Sequence, residues 1–149
     1  MSDKIITRHL KWEVLTQPIP QKRHRHLKTG RTYDPCSAEK TLFLKKSRAA
    51  CPEMVNVDSS PMSIKLRFEC ARPKSHYTTP ALAKLSSRAP LDHTFKGDID
   101  NYVKFVMDAL CGTFYRDDAQ IFQLSATKVW VSPGSERVSV ELVSFSRSG

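Results

Sequence analysis

The chain of 149 residues is long enough for one domain that buries a core without disulfide or metal staples. Hydrophobic residues make up 40% and charged residues 26%, which excludes a disordered chain, and no apolar run approaches the roughly 18 residues that cross a bilayer. The formal net charge of +9 points to a polyanionic partner, of which nucleic acid is the commonest.

The opening MSDKIITRHLKWEVL is too polar for a signal peptide, so a cytoplasmic protein is expected. HLKWEVL (9–15) alternates, with Leu10, Trp12 and Val14 on one face and His9, Lys11 and Glu13 on the other, a half-buried strand. TQPIPQKRHRHLKTGRTYDP (16–35) carries three prolines, and five Lys and Arg residues with no acid before Asp34, and reads as an extended loop. Lys22, Arg23, Arg25, Lys28 and Arg31 are its candidate phosphate contacts, and a solvated basic loop is the equal alternative. His24 and His26 lie among these charges, where phosphate contact or exposure explains them better than metal ligation.

Ser37 is placed to cap a helix running to about Ala50, with Pro52 just beyond. SIKLRFECA (63–71) is the cleanest strand, with Ile64, Leu66, Phe68 and Cys70 inward and Lys65, Arg67 and Glu69 outward. From Arg72 to Gly97 there is no sustained periodicity, and loops this long inside a domain are usually functional or disordered. Arg72, Lys74, Lys84, Arg88 and Lys96 make this stretch a basic approach to the acidic segment beyond it.

KGDIDNYVKFVMDALCGTFYRDDAQI (96–121) holds five of the fifteen acids: Asp98, Asp100, Asp108, Asp117 and Asp118. Ile99, Tyr102, Val103, Val106, Met107 and Leu110 follow the spacing of an amphipathic helix that Gly112 stops, and Asp100, Lys104 and Asp108 stack on its opposite face. QIFQLSATKVWV (120–131) and RVSVELVSF (137–145) then read as strands, and SPGSE between them predicts a hairpin. Trp12 and Trp130 fall on strands, as core or subunit-surface residues. Lys128, on the strand after the acidic pair, is a further candidate DNA contact. The predicted order is β-α-β-α-β-β, an α+β fold in which residues 1–149 form a single domain with a mixed sheet and two helices.

Each acid has a structural explanation. Asp98 suits an N-cap, Asp100 suits the positive end of the helix dipole, and an exposed Asp100–Lys104 pair is worth about 0.3–0.5 kcal/mol. Asp117 and Asp118 suit a turn. As a group they suit a hard divalent cation, which takes a few carboxylates and binds a substrate phosphate. A lysine beside such an ion, here Lys104, would stabilise charge developing on the phosphoryl oxygens. Spacing permits Asp117 or Asp118 to approach the helix start only through the tertiary fold. The four cysteines (Cys36, Cys51, Cys70, Cys111) are scattered, with no C-x-x-C, and read as reduced thiols rather than a zinc site. No glycine-rich phosphate loop suggests a nucleotide cofactor, and no Ser, Cys or His arrangement suggests covalent catalysis.

GDIDNYVKFVMDALCGTFYRDDAQI, with PIPQKRHR…GRTYDP, RPKSHY and APLDHTFKGDIDN, resembles the RusA-type Holliday junction resolvases, especially phage-like members, from about Pro18 to Trp130. The resemblance implies a homodimeric, Mg2+-dependent endonuclease (Mn2+ substituting) of α+β fold. Such an enzyme resolves four-way DNA junctions by paired symmetric nicks during recombination and repair, in a bacterial or phage-infected cell. The family's essential aspartates fall on Asp98, Asp100 and Asp118, its lysine on Lys104, and a further acidic position on Asp117. The candidate DNA-binding residues read from the basic segments are Lys22, Arg23, Arg25, Lys28, Arg31, Arg72, Lys74, Lys96 and Lys128, and affinity through them would fall steeply with salt. His93 is close enough to Asp98 in sequence for a supporting role. Where the family pattern has proline before the first aspartate this chain has Gly97, a change expected to loosen the helix start without removing a ligand. The rival readings are a non-catalytic DNA-binding protein that keeps the fold, and a nuclease for other branched DNA.

Overall fold

The computed structural model describes residues 3–53, 57–78 and 84–147. Strand β1 (Lys4–Val14) leads through a mostly extended basic segment containing the two-residue strands β2 (Arg25–His26) and β3 (Thr32–Tyr33) into helix α1 (Ser37–Ala50). Strand β4 (Met62–Ala71), helix α2 (Ile99–Leu110), strand β5 (Ile121–Val131) and strand β6 (Arg137–Arg147) complete the order. This is the expected α+β domain, with the basic segment adding a small hairpin of its own. Among the described residues no helix is long and apolar enough to cross a membrane.

The main sheet has the order β1-β6-β4-β5, with β4 and β5 parallel and the other pairs antiparallel. The parallel pair needs a crossover, supplied by residues 72–98 and α2. The hairpin predicted between β5 and β6 does not form. Those strands flank β4, and residues 132–136 pass over its end, a step of roughly 10 Å between strands two places apart. Burial decides the order. Val138, Val140, Leu142 and Ser144 of β6 are buried and belong in the middle, whereas β5 is exposed at residues 122–125 and takes the edge.

One face of the sheet carries Leu10, Trp12, Val14, Ile64, Leu66, Phe68, Cys70, Val138, Val140 and Leu142 into a core shared with both helices. Trp12 stacks on Phe114 at 4.5 Å, Phe43 of α1 meets Phe105 of α2 edge-on at 6.0 Å, and Phe68 packs on Tyr102 at 5.3 Å. Burying each large side chain of α2 stabilises the fold by roughly 1.5–3 kcal/mol relative to leaving it in water. Phe105 and Ala109 are buried beyond the predicted stripe, while Ile99, at the exposed first turn, is not. Cys36 rather than Ser37 is the residue before α1, without a side-chain cap. All four cysteines are free thiols.

Candidate active site

α2 occupies the position its amphipathic period requires, and its polar face, with Asp100, Lys104 and Asp108, is exposed. Asp98 stands at the N-cap. Its carbonyl accepts from the Asn101 amide (3.0 Å), but its carboxylate makes no capping bond. Asp100 accepts only from the Asn101 amide at 3.0 Å, and neither it nor Lys104 forms an ion pair among the described residues. The two structural explanations that would occupy these carboxylates, the side-chain cap and the i, i+4 salt bridge, are thus not realised.

Asp117 is different. Its carboxylate accepts from Ala119 N (2.9 Å), and Gln120 Oε1 accepts from Asp117 N (3.0 Å), a capping box on one 3-10 turn, Asp118–Gln120. Gln120 Nε2 also donates to the Asp58 and Ser60 carbonyls (2.8 and 2.9 Å), which fixes where Asp118 emerges. The sequence pattern includes this glutamine without a role for it, although an aspartate with glutamine three residues later is the spacing of a capping box.

Asp118 is exposed as a residue, yet part of its carboxyl lies against Tyr115 and Cys111. That desolvation, with repulsion from Asp108 and then Asp117, raises its pKa above the ordinary value, and the polar Tyr115 hydroxyl and Cys111 thiol nearby offset this only in part. Asp108 is thus the acid whose charge weighs most on it. Asp108 is in turn held by Lys40 (3.2 Å), which binds Asp34 at 2.6 Å. Burial pushes the Asp34 carboxyl up, but hydrogen bonds from Lys40, the Cys36 amide and Gln21, with the Lys40 charge, outweigh it and hold the pKa at about 2.

Gln21 completes this link. It is buried, donates from Nε2 to Asp34 Oδ1 (2.9 Å), and donates its backbone N–H to the Asn101 carbonyl (2.9 Å). The predicted basic segment is thereby docked on the first turn of α2, next to Asp100. From there residues 22–33, all exposed, extend as an arm closed by the β2–β3 hairpin. Lys22, Arg23, Arg25, Lys28 and Arg31 lie on that arm, and His24 and His26 are exposed with them. Gln21, Asp34 and Lys40 carry no signal in the sequence, because their partners lie far away along it.

Direction along α2 separates the acids. Lys128, near the far end of β5, donates to the Gly97 and Phe95 carbonyls (2.8 and 3.2 Å) at the start of α2, while Asp118–Gln120 joins the other end of α2 to the start of β5. α2 and β5 are antiparallel, so Asp98 and Asp100 sit at one end and Asp118 at the other. Eight residues of helix, from Asp100 to Asp108, already span about 12 Å. Among the described residues no three of His, Cys, Asp and Glu converge on one cation site.

Lys128 has its ammonium committed to the loop before α2. Trp130 is half-buried, stacks on buried His93 (3.8 Å between ring centroids, 3° between planes), and donates from Nε1 to the Asp92 carbonyl (3.2 Å). Burial, and then the Lys128 charge, lower the His93 pKa, so its ring is neutral near pH 7. Arg72 packs near the same Trp130 ring and donates to the Pro90 carbonyl (2.8 Å). Lys74 and Lys96 are exposed beside them.

Gly97 adopts φ +95°, with the Tyr102 ring packed against its Cα hydrogens. The start of α2 is thus tight rather than loosened, and a proline ring, fixed near φ −65°, has no place there.

Residues 16–142 match the family described as endodeoxyribonuclease RusA. The chain is also 28% identical over 137 residues to the uncharacterized protein YqaN of Bacillus subtilis (strain 168), covering 90% of this chain and 94% of that protein. With a family match over most of its length, and the fold and acidic helix in place, the chain belongs to the RusA family of endodeoxyribonucleases, the Holliday junction resolvases.

Proposed function

We propose that the protein acts as a homodimer that resolves four-way junctions by paired, symmetric, Mg2+-dependent nicks. Asp98, Asp100 and Asp118 would hold the ion and Lys104 would face the scissile phosphate. The observation that carries this is a set of exposed carboxylates, Asp98 and Asp100, left without ion pairs among the described residues of a protein of net charge +9. Their donor set is all oxygen, the preference of Mg2+, with Mn2+ an acceptable substitute. Asp117, occupied in a capping box, braces Asp118 more readily than it serves as a ligand.

A single chain keeps the two acidic groups apart, which gives the second copy a role. The exposed edge of β5 offers the contact. Antiparallel pairing of two β5 strands centred on Gln123 sets exposed Phe122 of each copy against exposed Leu124 of the other. The same register carries Asp118 of one copy toward Lys128 of the partner subunit, the residue that binds the Gly97 carbonyl beside Asp98. Each site would then draw Asp98 and Asp100 from one copy and Asp118 from the other, two sites related by a two-fold axis as a four-way junction requires.

The chemistry that a divalent ion supplies when bound here is an acidified water and neutralisation of charge on the phosphate. Lys104, one helical turn beyond Asp100, stabilises the charge that develops on the non-bridging oxygens. The arm carrying Lys22, Arg23, Arg25, Lys28 and Arg31, docked through Gln21, grips the junction arms, with Arg72, Lys74 and Lys96 on the approach loop. Such an activity belongs to DNA recombination and repair in the cytoplasm of a bacterial or phage-infected cell.

A labelled synthetic four-way junction, incubated in Mg2+ and in EDTA beside an Asp100→Asn variant, tests the reading. Paired nicks that need both Mg2+ and Asp100, with the variant still binding, are expected. Tight binding without cleavage in any divalent metal would leave a DNA-binding protein that has kept the fold. Cleavage of flaps or three-way branches in preference to four-way junctions would transfer the activity to other branched DNA.

A further inference from the structure

The loop before α2 holds an arrangement that neither the nuclease chemistry nor the fold explains. Leu91 is 86% exposed and Phe95 59% exposed, the largest apolar exposures among the described residues of this approach. An exposed apolar side chain on a surface is ordinary. Here, however, the backbone around the two residues is pinned at four carbonyls. Arg72 Nη1 binds the Pro90 carbonyl (2.8 Å), Trp130 Nε1 binds the Asp92 carbonyl (3.2 Å), and His93 lies flat on the Trp130 ring. Lys128 Nζ then binds the Phe95 and Gly97 carbonyls (3.2 and 2.8 Å). The segment spends backbone carbonyls and one aromatic ring on fixing itself to β5 and to Arg72 at the end of β4, and turns its two large apolar side chains outward. Phe95 stands three residues before Asp98, with the Lys96 ammonium 5.9 Å from its ring.

From this geometry we infer that Leu91 and Phe95 form a rigid apolar wedge that enters the DNA at the branch point and stacks against its unpaired bases, while Lys96 and Arg88 hold the flanking phosphates. The inference rests on the proposed function and deepens it, since it assigns residues to branch recognition rather than to cleavage. The partner is a nucleic-acid base for two reasons. The surrounding loop is basic, at Arg72, Lys74, Lys84, Arg88 and Lys96, and the wedge is continuous with the acidic helix that meets the backbone. A base step offers an apolar face between two anionic rails, which matches an apolar pair flanked by cations. At the centre of a four-way junction stacking is already interrupted, so insertion there costs less than insertion into continuous duplex, and the wedge favours branched over linear DNA.

The test places 2-aminopurine at nucleotides flanking the branch of a four-way junction and measures its fluorescence on titration with the full-length protein in EDTA. Binding by the wild-type chain is expected to raise the signal as the base unstacks. The Leu91→Ala/Phe95→Ala variant is expected to lose that rise and about tenfold of its preference for junction over duplex, while duplex affinity is kept. Phe95→Trp should restore the signal, and unchanged circular dichroism confirms the fold. A double variant that keeps both the fluorescence rise and the junction preference refutes the wedge and leaves the nuclease reading intact. A double variant that sediments as a monomer where the wild-type chain is a dimer also refutes it, because the pair is then a subunit contact. A wild-type protein that neither prefers nor cuts junctions overturns the proposed function, and the wedge with it.

Discussion

Replacing Gly97 by alanine tests how the start of the acidic helix is held. The residue sits at φ +95°, a conformation that costs an L-residue about 1–2 kcal/mol. A Cβ there would lie 2.7 Å from Cε2 and 2.8 Å from Cζ of Tyr102, with the hydroxyl closer still. Tyr102 cannot swing away cheaply, since it is 5% exposed and packed on Phe68, itself 1% exposed. Forcing extra volume into such a contact costs about 1–3 kcal/mol, so Gly97→Ala should lose about 2–5 kcal/mol in all. Gly112→Ala is the control. It has φ +88° and nothing within 4 Å of the new methyl, so it should lose only the backbone share, about 1–2 kcal/mol. Urea and thermal unfolding of the three proteins measure the difference, and at roughly 3 °C per kcal/mol Gly97→Ala should melt about 6–15 °C below wild type. Removing the hydroxyl with Tyr102→Phe should recover part of the loss. Equal losses at positions 97 and 112, or no recovery with Tyr102→Phe, would refute the packing argument. Cleavage should fall with stability, because the displaced turn carries Asp98 and Asp100.

The proposed sharing of each site between two copies makes a prediction about mixtures. Asp100→Asn and Asp118→Asn are each expected to be inactive alone. Mixed and allowed to exchange subunits, they should regain about a quarter of the wild-type sites, because half the dimers then hold one intact site. No recovery on demonstrated exchange would place all three aspartates of a site on one chain. The Asp34 carboxyl, held at about 2 against an ordinary 3.8, contributes stability that is complete above pH 5 and lost as pH falls from 3.8 toward 2. Its partial exposure reduces this to on the order of 1–2 kcal/mol. Asp34→Asn should therefore be less stable than wild type at pH 7, and the gap should close in denaturant melts taken near pH 2. A gap independent of pH would refute the lowered pKa and leave the loss to altered packing at the substituted side chain.

Much of the architecture was local enough to be legible in the chain. The alternation through Ile64, Leu66, Phe68 and Cys70 fixes β4 and its buried face, because a strand repeats every two residues. The spacing of Tyr102, Val103, Val106 and Leu110 fixes α2 in the same way, with Gly112 at its end, and leaves Asp100, Lys104 and Asp108 on the open side. Pairing was another matter. SPGSE is a sound turn, yet the strands on either side of it do not meet, because buried β6 competes for the centre of the sheet while exposed β5 is left at the edge. The functional groups followed the same division. That Asp98 and Asp100 begin a helix was written in their neighbours. That Asp118 lies at the other end, where the Asp108 charge acts on it, that Asp117 is taken by its own turn, and that Lys128 holds the Gly97 carbonyl were decided by the antiparallel course of β5 past α2. Sequence spacing sets which face of an element a residue occupies, but which faces meet depends on the direction in which distant segments pack, and burial across the whole sheet sets that.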